Sequence, residues 1–315
     1  MEQKVVLLKI AIPENIDVYF DGDGIISKRI ERLLNSIASG GKEVMAIIGG
    51  YGMGKTHTLK YIERLARARG FKAIYVQAPG RSFMELYASV AESLLNEVSK
   101  LRDYVSDPVL RKALELLDDA ENAIYVKGWL LGYSIPPKVR YKLGLIGSLR
   151  EVNAVNFLVE MLRLVTSSGT SVIILLDEVE ALLNLSKNFR YSYTEYLREL
   201  IDGMPRGAAV VMAMTPACWD ELTTLNPALF RRLSGSILYL KPLKRDHVRK
   251  FLELYFSDLL SLLDDDVLDY IYELANGIQG EMLKYSSILL EEALYSGSNS
   301  KLSLDKVKQI LSEYT

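Results

Sequence analysis

The sequence predicts an open, parallel α/β sheet domain followed by a small all-helical domain, and three observations carry that expectation. Five short apolar runs, at 44–48, 72–77, 172–176, 208–214 and 236–240, have the length and composition of buried parallel strands. Helical periodicity fills segments between them, at 55–69, 83–100 and 152–166, and strand–helix alternation favours an α/β sheet over a sandwich or a bundle. Beyond Pro242 the pattern is helical throughout, at 245–263, 265–275, 280–295 and 303–314.

The first strand leads into the second through a glycine-rich loop and a helix. The second strand's helix is followed by an insertion at about 101–150, mostly helical, carrying Trp129-Leu130-Leu131-Gly132 and the turn-forming Pro136-Pro137. The expected division is a phosphate-loop domain over 1–243 and a helical lid over 244–315. The segment 296–300 (Ser-Gly-Ser-Asn-Ser) reads as a loop within the lid.

Composition narrows the function classes. A chain of 315 residues with 49% apolar and 25% charged residues can bury one large core and one small one. No apolar run reaches the length of a membrane span, and residues 1–8 lack the basic start and cleavage site of a secretory leader. The single cysteine, Cys218, excludes an intrachain disulfide and a cysteine-built zinc site, so a cytoplasmic protein is expected. The net charge of −2 divides unevenly: acidic residues dominate from Phe251 onward, leaving the preceding part net positive. That balance suits an anionic partner, a nucleotide or a solvated surface equally. Scarce Cys and His beside 19 Tyr hint at a thermophilic source.

The most informative string is Gly49-Gly50-Tyr51-Gly52-Met53-Gly54-Lys55-Thr56, which fits G-x-x-x-x-G-K-[ST] between an apolar strand and a helix. Glycines let backbone N–H groups turn toward one anion without a Cβ in the way. The helix opening at Lys55 adds unpaired N–H groups and the positive end of its dipole. Lys55 brings charge to the β- and γ-phosphates of ATP, and Thr56 a hydroxyl to Mg2+. A glycine-rich turn with a chance Lys-Thr is the alternative, and the correct flanks on both sides argue against it. His57 lies just inside the helix, where packing or capping suits it better than catalysis.

The third apolar run ends in Asp177-Glu178. At the carboxyl edge of a strand, Asp177 is expected in the Mg2+ shell, with Glu178 orienting or deprotonating the attacking water. An acid pair capping a core strand is the structural alternative. The fourth run ends in Thr215-Pro216, whose hydroxyl suits either a bond to water or γ-phosphate or a plain cap. Asn226-Pro227-Ala228-Leu229-Phe230-Arg231-Arg232-Leu233 precedes the fifth strand, and Arg231 and Arg232 there can reach a neighbouring subunit's γ-phosphate or remain solvated surface. Lys60, Arg64 and Arg67 share a helix face, and Lys138, Arg140 and Lys142 cluster around Tyr141. Either group suits nucleic-acid phosphates or a solvated face. Trp129 and Trp219 read as core or interface anchors, and Cys218 has no catalytic partner in the sequence.

Phosphate loop, Asp-Glu strand end, polar fourth-strand end, arginine pair and helical lid occur in the order of the AAA+ ATPases, which the chain resembles over about 16–314. The resemblance implies a five-stranded sheet of order 5-1-4-3-2, a helical lid, and ATP sandwiched between subunits of an oligomer. The middle of the chain is further similar to ATP-binding proteins of BREX-type phage-defence systems and their archaeal relatives. That match rests on Gly50–His57, Trp129–Gly132, Leu176-Asp177-Glu178-Val179-Glu180, Arg190 with Tyr196–Asp202, and Thr215-Pro216-Ala217. Two departures stand out. Phosphate loop and acid pair are farther apart than in a minimal AAA+ core, which the insertion explains. Where many relatives carry a lid arginine, this chain has Glu281, with Lys284 as a substitute nearby. No winged-helix domain is expected within the 315 residues.

The resulting expectation is an ATP-hydrolysing, Mg2+-dependent homo-oligomer acting as a motor or switch on DNA or RNA, or on a nucleic-acid-processing partner protein, away from membranes. Its alternative is a STAND-like signalling switch that recruits protein partners without nucleic acid. A metabolic kinase fits less well, because Glu178 and the arginine pair suit hydrolysis between subunits.

Overall fold

A computed structural model describes residues 19–78, 80–145, 147–295 and 301–314. The expectations for residues 1–8 and for the loop at 296–300 therefore lie outside the described residues. In chain order the elements are α1 (Ile25–Ala38), β1 (Glu43–Ile48), α2 (Lys55–Ala68), β2 (Lys72–Gln77) and α3 (Phe83–Lys100). The insertion follows as α4 (Pro108–Glu115), α5 (Ala123–Leu130) and α6 (Pro137–Lys142), joined by turns and short 3-10 segments. Then come α7 (Glu151–Ser167), β3 (Val172–Asp177), α8 (Lys187–Gly203), β4 (Ala208–Met214), α9 (Pro216–Leu225), α10 (Pro227–Leu233) and β5 (Ile237–Tyr239). The helical end comprises α11 (Val248–Phe256), α12 (Asp265–Leu274), α13 (Gln279–Tyr295) and α14 (Leu304–Leu311).

The five strands form one sheet in the order β2-β3-β4-β1-β5, the expected 5-1-4-3-2 read from the other edge. Pairing is parallel for β1 with β4, β2 with β3, and β3 with β4. Every residue of β3 and β4 is buried, as required of central strands covered on both faces. One parity of the strands, with Ala46, Ile74, Ile174, Val210 and Met212, joins a core built by α3, α7 and α8. The other parity, including Met45, Ile47, Ile173, Leu175 and Val211, is equally buried. Helix α1 buries Ile30, Leu33, Leu34 and Ile37, and the second half of α2 buries Ile62 and Ala66.

Chain contacts divide the molecule into two units. One comprises the described part of Met1–Lys28, Gly49–Tyr61 and Tyr239–Thr315; the other comprises Arg29–Ile48 and Ile62–Leu238. The phosphate loop thus groups with the helical end, and the sheet with the insertion. In the first unit, Phe251, Leu252, Phe256, Leu268, Ile271, Met282, Leu289 and Leu290 form the core, with Phe20 packed against it. Phe20 meets His247 and Phe251 edge-on, at ring-centroid distances of 5.9 and 5.6 Å.

The helix expected over 245–263 is three pieces: a turn at Arg245–His247, α11, and a 3-10 segment at Ser257–Leu262. Ser257 breaks it with φ 44°, a conformation a helix interior excludes. Nothing in the local residue pattern explains that break. In the insertion, Asp107 caps α4 by accepting from the N–H groups of Val109 and Leu110, and Pro108 opens the helix. Tyr87 of α3 donates to the Leu130 carbonyl at 2.7 Å, and Trp129 to the Gly147 carbonyl at 2.9 Å, tying α5 into the sheet unit. Trp129 is therefore a core anchor.

Candidate nucleotide site

The loop between β1 and α2 needs glycine at two points. Gly52 and Gly54 have φ of 72° and 84°, where a side chain is strained. A Cβ on Gly52 would also come within 2.8 Å of the Ile278 methyl. Lys55, at the first position of α2, is buried, and its Nζ donates to the carbonyls of Gly49 and Gly50 at 3.1 and 3.2 Å. Its charge also lies 5.2 Å from the ring centre of Tyr51, which is exposed. The Gly50 N–H donates to the Met53 sulfur at 3.2 Å, closing the loop locally.

One turn into the helix, Thr58 donates from both its N–H and its hydroxyl to the Gly54 carbonyl, each at 2.8 Å. Tyr19 stacks face to face on Tyr61 at 4.0 Å and lies near-parallel to His57 at 5.4 Å, with its hydroxyl 3.1 Å from Thr58 Oγ1. Burial pushes the Tyr19 phenol well above the usual range. His57 is thus part of an aromatic stack. Thr56 lies half-buried in the same first turn.

The lid start touches this loop. Gly280 donates its N–H to the Gly52 carbonyl at 2.9 Å, and a Cβ on Gly280 would lie 3.1 Å from both Cα and O of Gly52. Glu281 is next in sequence and pairs with Lys284 at 3.5 Å, while the Lys284 ammonium lies 5.3 Å from the Tyr285 ring.

The acid pair belongs to the sheet unit. Register places Gln77 opposite Asp177 and Tyr75 opposite Leu175, so all four lie on one face of the β2–β3 pair. Asp177 is fully buried. Its Oδ2 accepts from the Tyr75 hydroxyl at 2.6 Å and its Oδ1 from the Glu178 N–H at 2.9 Å. Burial, and then the bond to Asp177, push the Tyr75 phenol far above its usual range.

Glu178 has φ 51° and ψ 41°, a left-handed conformation rare outside glycine and costing about 1 kcal/mol or more. The turn leaves its carboxylate exposed, accepting from Gln77 Nε2 at 3.3 Å. Ala78 is also left-handed, at φ 46°, and donates its N–H to the Asp177 carbonyl at 3.1 Å. Two non-glycine residues in the left-handed region thus sit at adjacent strand ends.

Thr215 follows β4 and is buried; its hydroxyl oxygen accepts from the Cys218 N–H at 3.3 Å, capping α9. A hydroxyl that accepts retains its proton for donation. Cys218 is buried, which pushes its thiol up to about 12 and leaves it a packing residue. At the end of α10, Arg232 makes a two-pronged pair with Asp202, both bonds 2.8 Å, and donates to the Ala228 carbonyl at 2.8 Å. Hydrogen bonding to Arg232 holds the Asp202 carboxyl below its ordinary range. Arg231 is exposed beside it.

Arg190 donates to the Leu183 and Leu185 carbonyls at 3.0 Å each and pairs with Glu221, holding the turn after the acid pair. Arg67, on the face shared with Lys60 and Arg64, pairs with Glu63 at 2.7 Å while its side chain stays largely exposed. On α6, Lys138, Tyr141 and Lys142 share one exposed side by their i, i+3, i+4 spacing, with Arg140 turned toward Ser148.

Tyr75 and Gln77 are the site neighbours that the sequence reading missed. Their signal was present: polar residues at alternate positions, 75 and 77, in a parallel strand whose other polar residue is its first, Lys72. The donor chemistry of Asp177 suits Mg2+, since a carboxylate is a hard oxygen ligand of the kind it takes alongside water. Each Asp177 oxygen accepts one of these bonds and has a second lone pair to offer. Among the described residues no group of three His, Cys, Asp or Glu forms a ready-made metal cage.

Residues 27–284 match the model of a family described as an ATPase domain predominantly from Archaea. No curated protein matches the sequence. Among solved structures, the chain is similar to the ORC2 protein of Aeropyrum pernix in its ADPNP-ADP complexes, at 18% identity and a TM-score of 0.60, covering 97% of this chain and 71% of that one. The A. pernix ORC1 protein in complex with DNA matches at 18% identity and 0.59, over 97% and 69%. Cdc6p of Pyrobaculum aerophilum matches at 13% and 0.59, over 93% and 67%. At these identities the likeness is one of fold. Sheet order, phosphate loop, acid pair and family match together make the chain an AAA+ P-loop protein, a member of the family of ATPase domains found predominantly in Archaea.

Proposed function

We propose that the chain binds ATP with Mg2+ and hydrolyses it, as an oligomeric switch or motor that works on nucleic acid or on a nucleic-acid-processing partner. Lys55 and the loop N–H groups take the phosphates, Thr56 and Asp177 serve Mg2+, and Glu178 acts on the attacking water. The observation that carries hydrolysis, rather than binding alone, is Glu178: a strained backbone holds its carboxylate exposed directly after the buried Asp177. A structural acid pair would not require that strain.

The nucleic-acid part rests on α6. Tyr141 is 89% exposed, with Lys138 and Lys142 on the same side of the helix. An aromatic face between two cations offers base stacking and phosphate contact in one patch. The ORC1 structure similar in fold was solved with DNA, which is consistent with that reading.

Glu178→Gln tests the proposal. It should keep wild-type ATP affinity by calorimetry and hydrolyse ATP about 100-fold or more slowly. Unchanged turnover at saturating ATP would remove Glu178 from the chemistry. If turnover is lost but DNA and RNA neither bind nor stimulate the wild type, the signalling reading takes over.

A further inference from the structure

We propose that Tyr75 is a positioning residue for the metal, fixing the orientation of the Asp177 carboxylate through its hydroxyl. The inference rests on the ATPase reading above and deepens it.

The geometry begins in the strand pairing. Tyr75 lies opposite Leu175 in the parallel β2–β3 register, so Asp177 is its diagonal neighbour on the same face. That diagonal is too long for most side chains and within reach of a tyrosine. The 2.6 Å bond from the Tyr75 hydroxyl to Asp177 Oδ2 spans it. The other oxygen is held by the N–H of Glu178, at 2.9 Å. A carboxylate held at both oxygens by donors in different directions is restrained against rotation about Cβ–Cγ and against changing rotamer. Asp177 is fully buried, so the loss of a donor is costly to it.

Mg2+ makes this restraint consequential, because it demands near-ideal octahedral geometry and dehydrates reluctantly. A carboxylate serving it, directly or through water, must present its lone pair in a fixed direction. Partners behind a metal-serving group commonly matter about 10- to 100-fold in affinity or activity. The bond from Glu178 comes from the residue next in the chain, whereas Tyr75 supplies a restraint from the neighbouring strand. The carboxylate is therefore anchored to the sheet independently of the strained turn.

A tyrosine hydroxyl that merely found a buried acceptor would give the same bond without affecting the metal, and the experiment separates the two. Calorimetry of ATP binding is run on the whole chain in EDTA and in excess Mg2+, for wild type, Tyr75→Phe and Asp177→Asn. Tyr75→Phe should bind ATP in EDTA as wild type does and lose about 10-fold of the affinity that Mg2+ adds. In the Asp177→Asn background the same substitution should change nothing, since no carboxylate remains to be held.

An unaltered Mg2+ contribution in a folded Tyr75→Phe protein overturns the proposal, as does an equal loss with and without Mg2+, which would mean general damage. If the Phe variant does not fold, Tyr75→Met fills the space flexibly and is read by the same split. A wild-type protein whose ATP binding ignores Mg2+ altogether sinks the ATPase reading itself, which is distinguishable from failure of Tyr75 alone.

Discussion

Lys55 combines burial with a full charge, and it is held at the loop carbonyls of Gly49 and Gly50. An ammonium at the first position of the helix after this loop is the charge proposed to meet the ATP phosphates. Lys55→Ala should therefore abolish ATP binding in calorimetry while leaving the folded spectrum intact; wild-type affinity would refute the loop assignment. Glu178 shows the opposite economy, an exposed side chain on a strained backbone. Replacing it by glycine removes the left-handed penalty, so Glu178→Gly should raise stability by about 1 kcal/mol in urea unfolding while abolishing hydrolysis. A loss of stability would mean that the bond from Gln77 outweighs the strain. Both residues were legible in the sequence because motif and flanking strand fixed their places. Tyr75 and Gln77 were not, because a polar residue in a strand acquires meaning only once register shows what lies diagonally opposite.

At the scale of elements, the apolar runs located the strands closely, and β2, β4 and α3 match their expected limits. Fully buried parallel strands leave an unbroken apolar signal, so their detection needed no tertiary information. Helices α1, α8, α9 and α10 were not assigned from the sequence. Of these, α8 carries Lys, Arg, Glu and Asp along much of its length and owes its position to Tyr193, Leu197, Leu200 and Ile201. Helix α10 is only seven residues long, too short for periodicity to register. The start of α13 was recognised as the lid position bearing Glu281, but its backbone contact with the phosphate loop was not legible. That contact predicts that Gly280→Ala, which gains helix propensity, will nevertheless weaken ATP binding by roughly 10-fold, because its Cβ presses on the Gly52 backbone. Calorimetry beside a melting curve checks it, and unchanged affinity would mean that the loop yields freely. For α6, replacing Lys138, Tyr141 and Lys142 by Ala should weaken single-stranded DNA or RNA binding. It should also shallow its log–log salt dependence by about 0.7 per lost phosphate contact. An unchanged slope in a filter-binding series would assign the patch to ordinary solvated surface.

At the scale of the whole molecule the open question is whether one chain completes a site or shares it with a copy of itself. Arg231 and Arg232 end α10 immediately before the edge strand β5. A guanidinium supplied there in trans would stabilise charge developing on a phosphoryl group, an effect worth about 10³–10⁵ in rate where it operates. The Pro-Ala-Leu-x-x-Arg-Leu spacing of the AAA+ family, met here at Pro227–Leu233, favours Arg232; both arginines are exposed, but Arg232 is gripped by Asp202 and the Ala228 carbonyl. Breaking a two-pronged pair to reach a phosphate has a cost, so Arg231 is expected to carry the larger share, with Arg232 bracing α10 against α8. The single variants separate these roles: Arg231→Ala should lose most of the ATPase rate, and Arg232→Ala should lose less rate but more stability. Sharing is tested by mixing. A chain lacking both arginines keeps Lys55, Asp177 and Glu178 but offers no guanidinium; Glu178→Gln cannot hydrolyse but still offers one. Each should be nearly inactive alone, and a mixture whose subunits exchange should recover activity at the arginine variant's own sites. If the mixture gives only the two residual rates added together while exchange is demonstrated by label transfer, the arginines do not act between subunits and the pair serves the fold of α10.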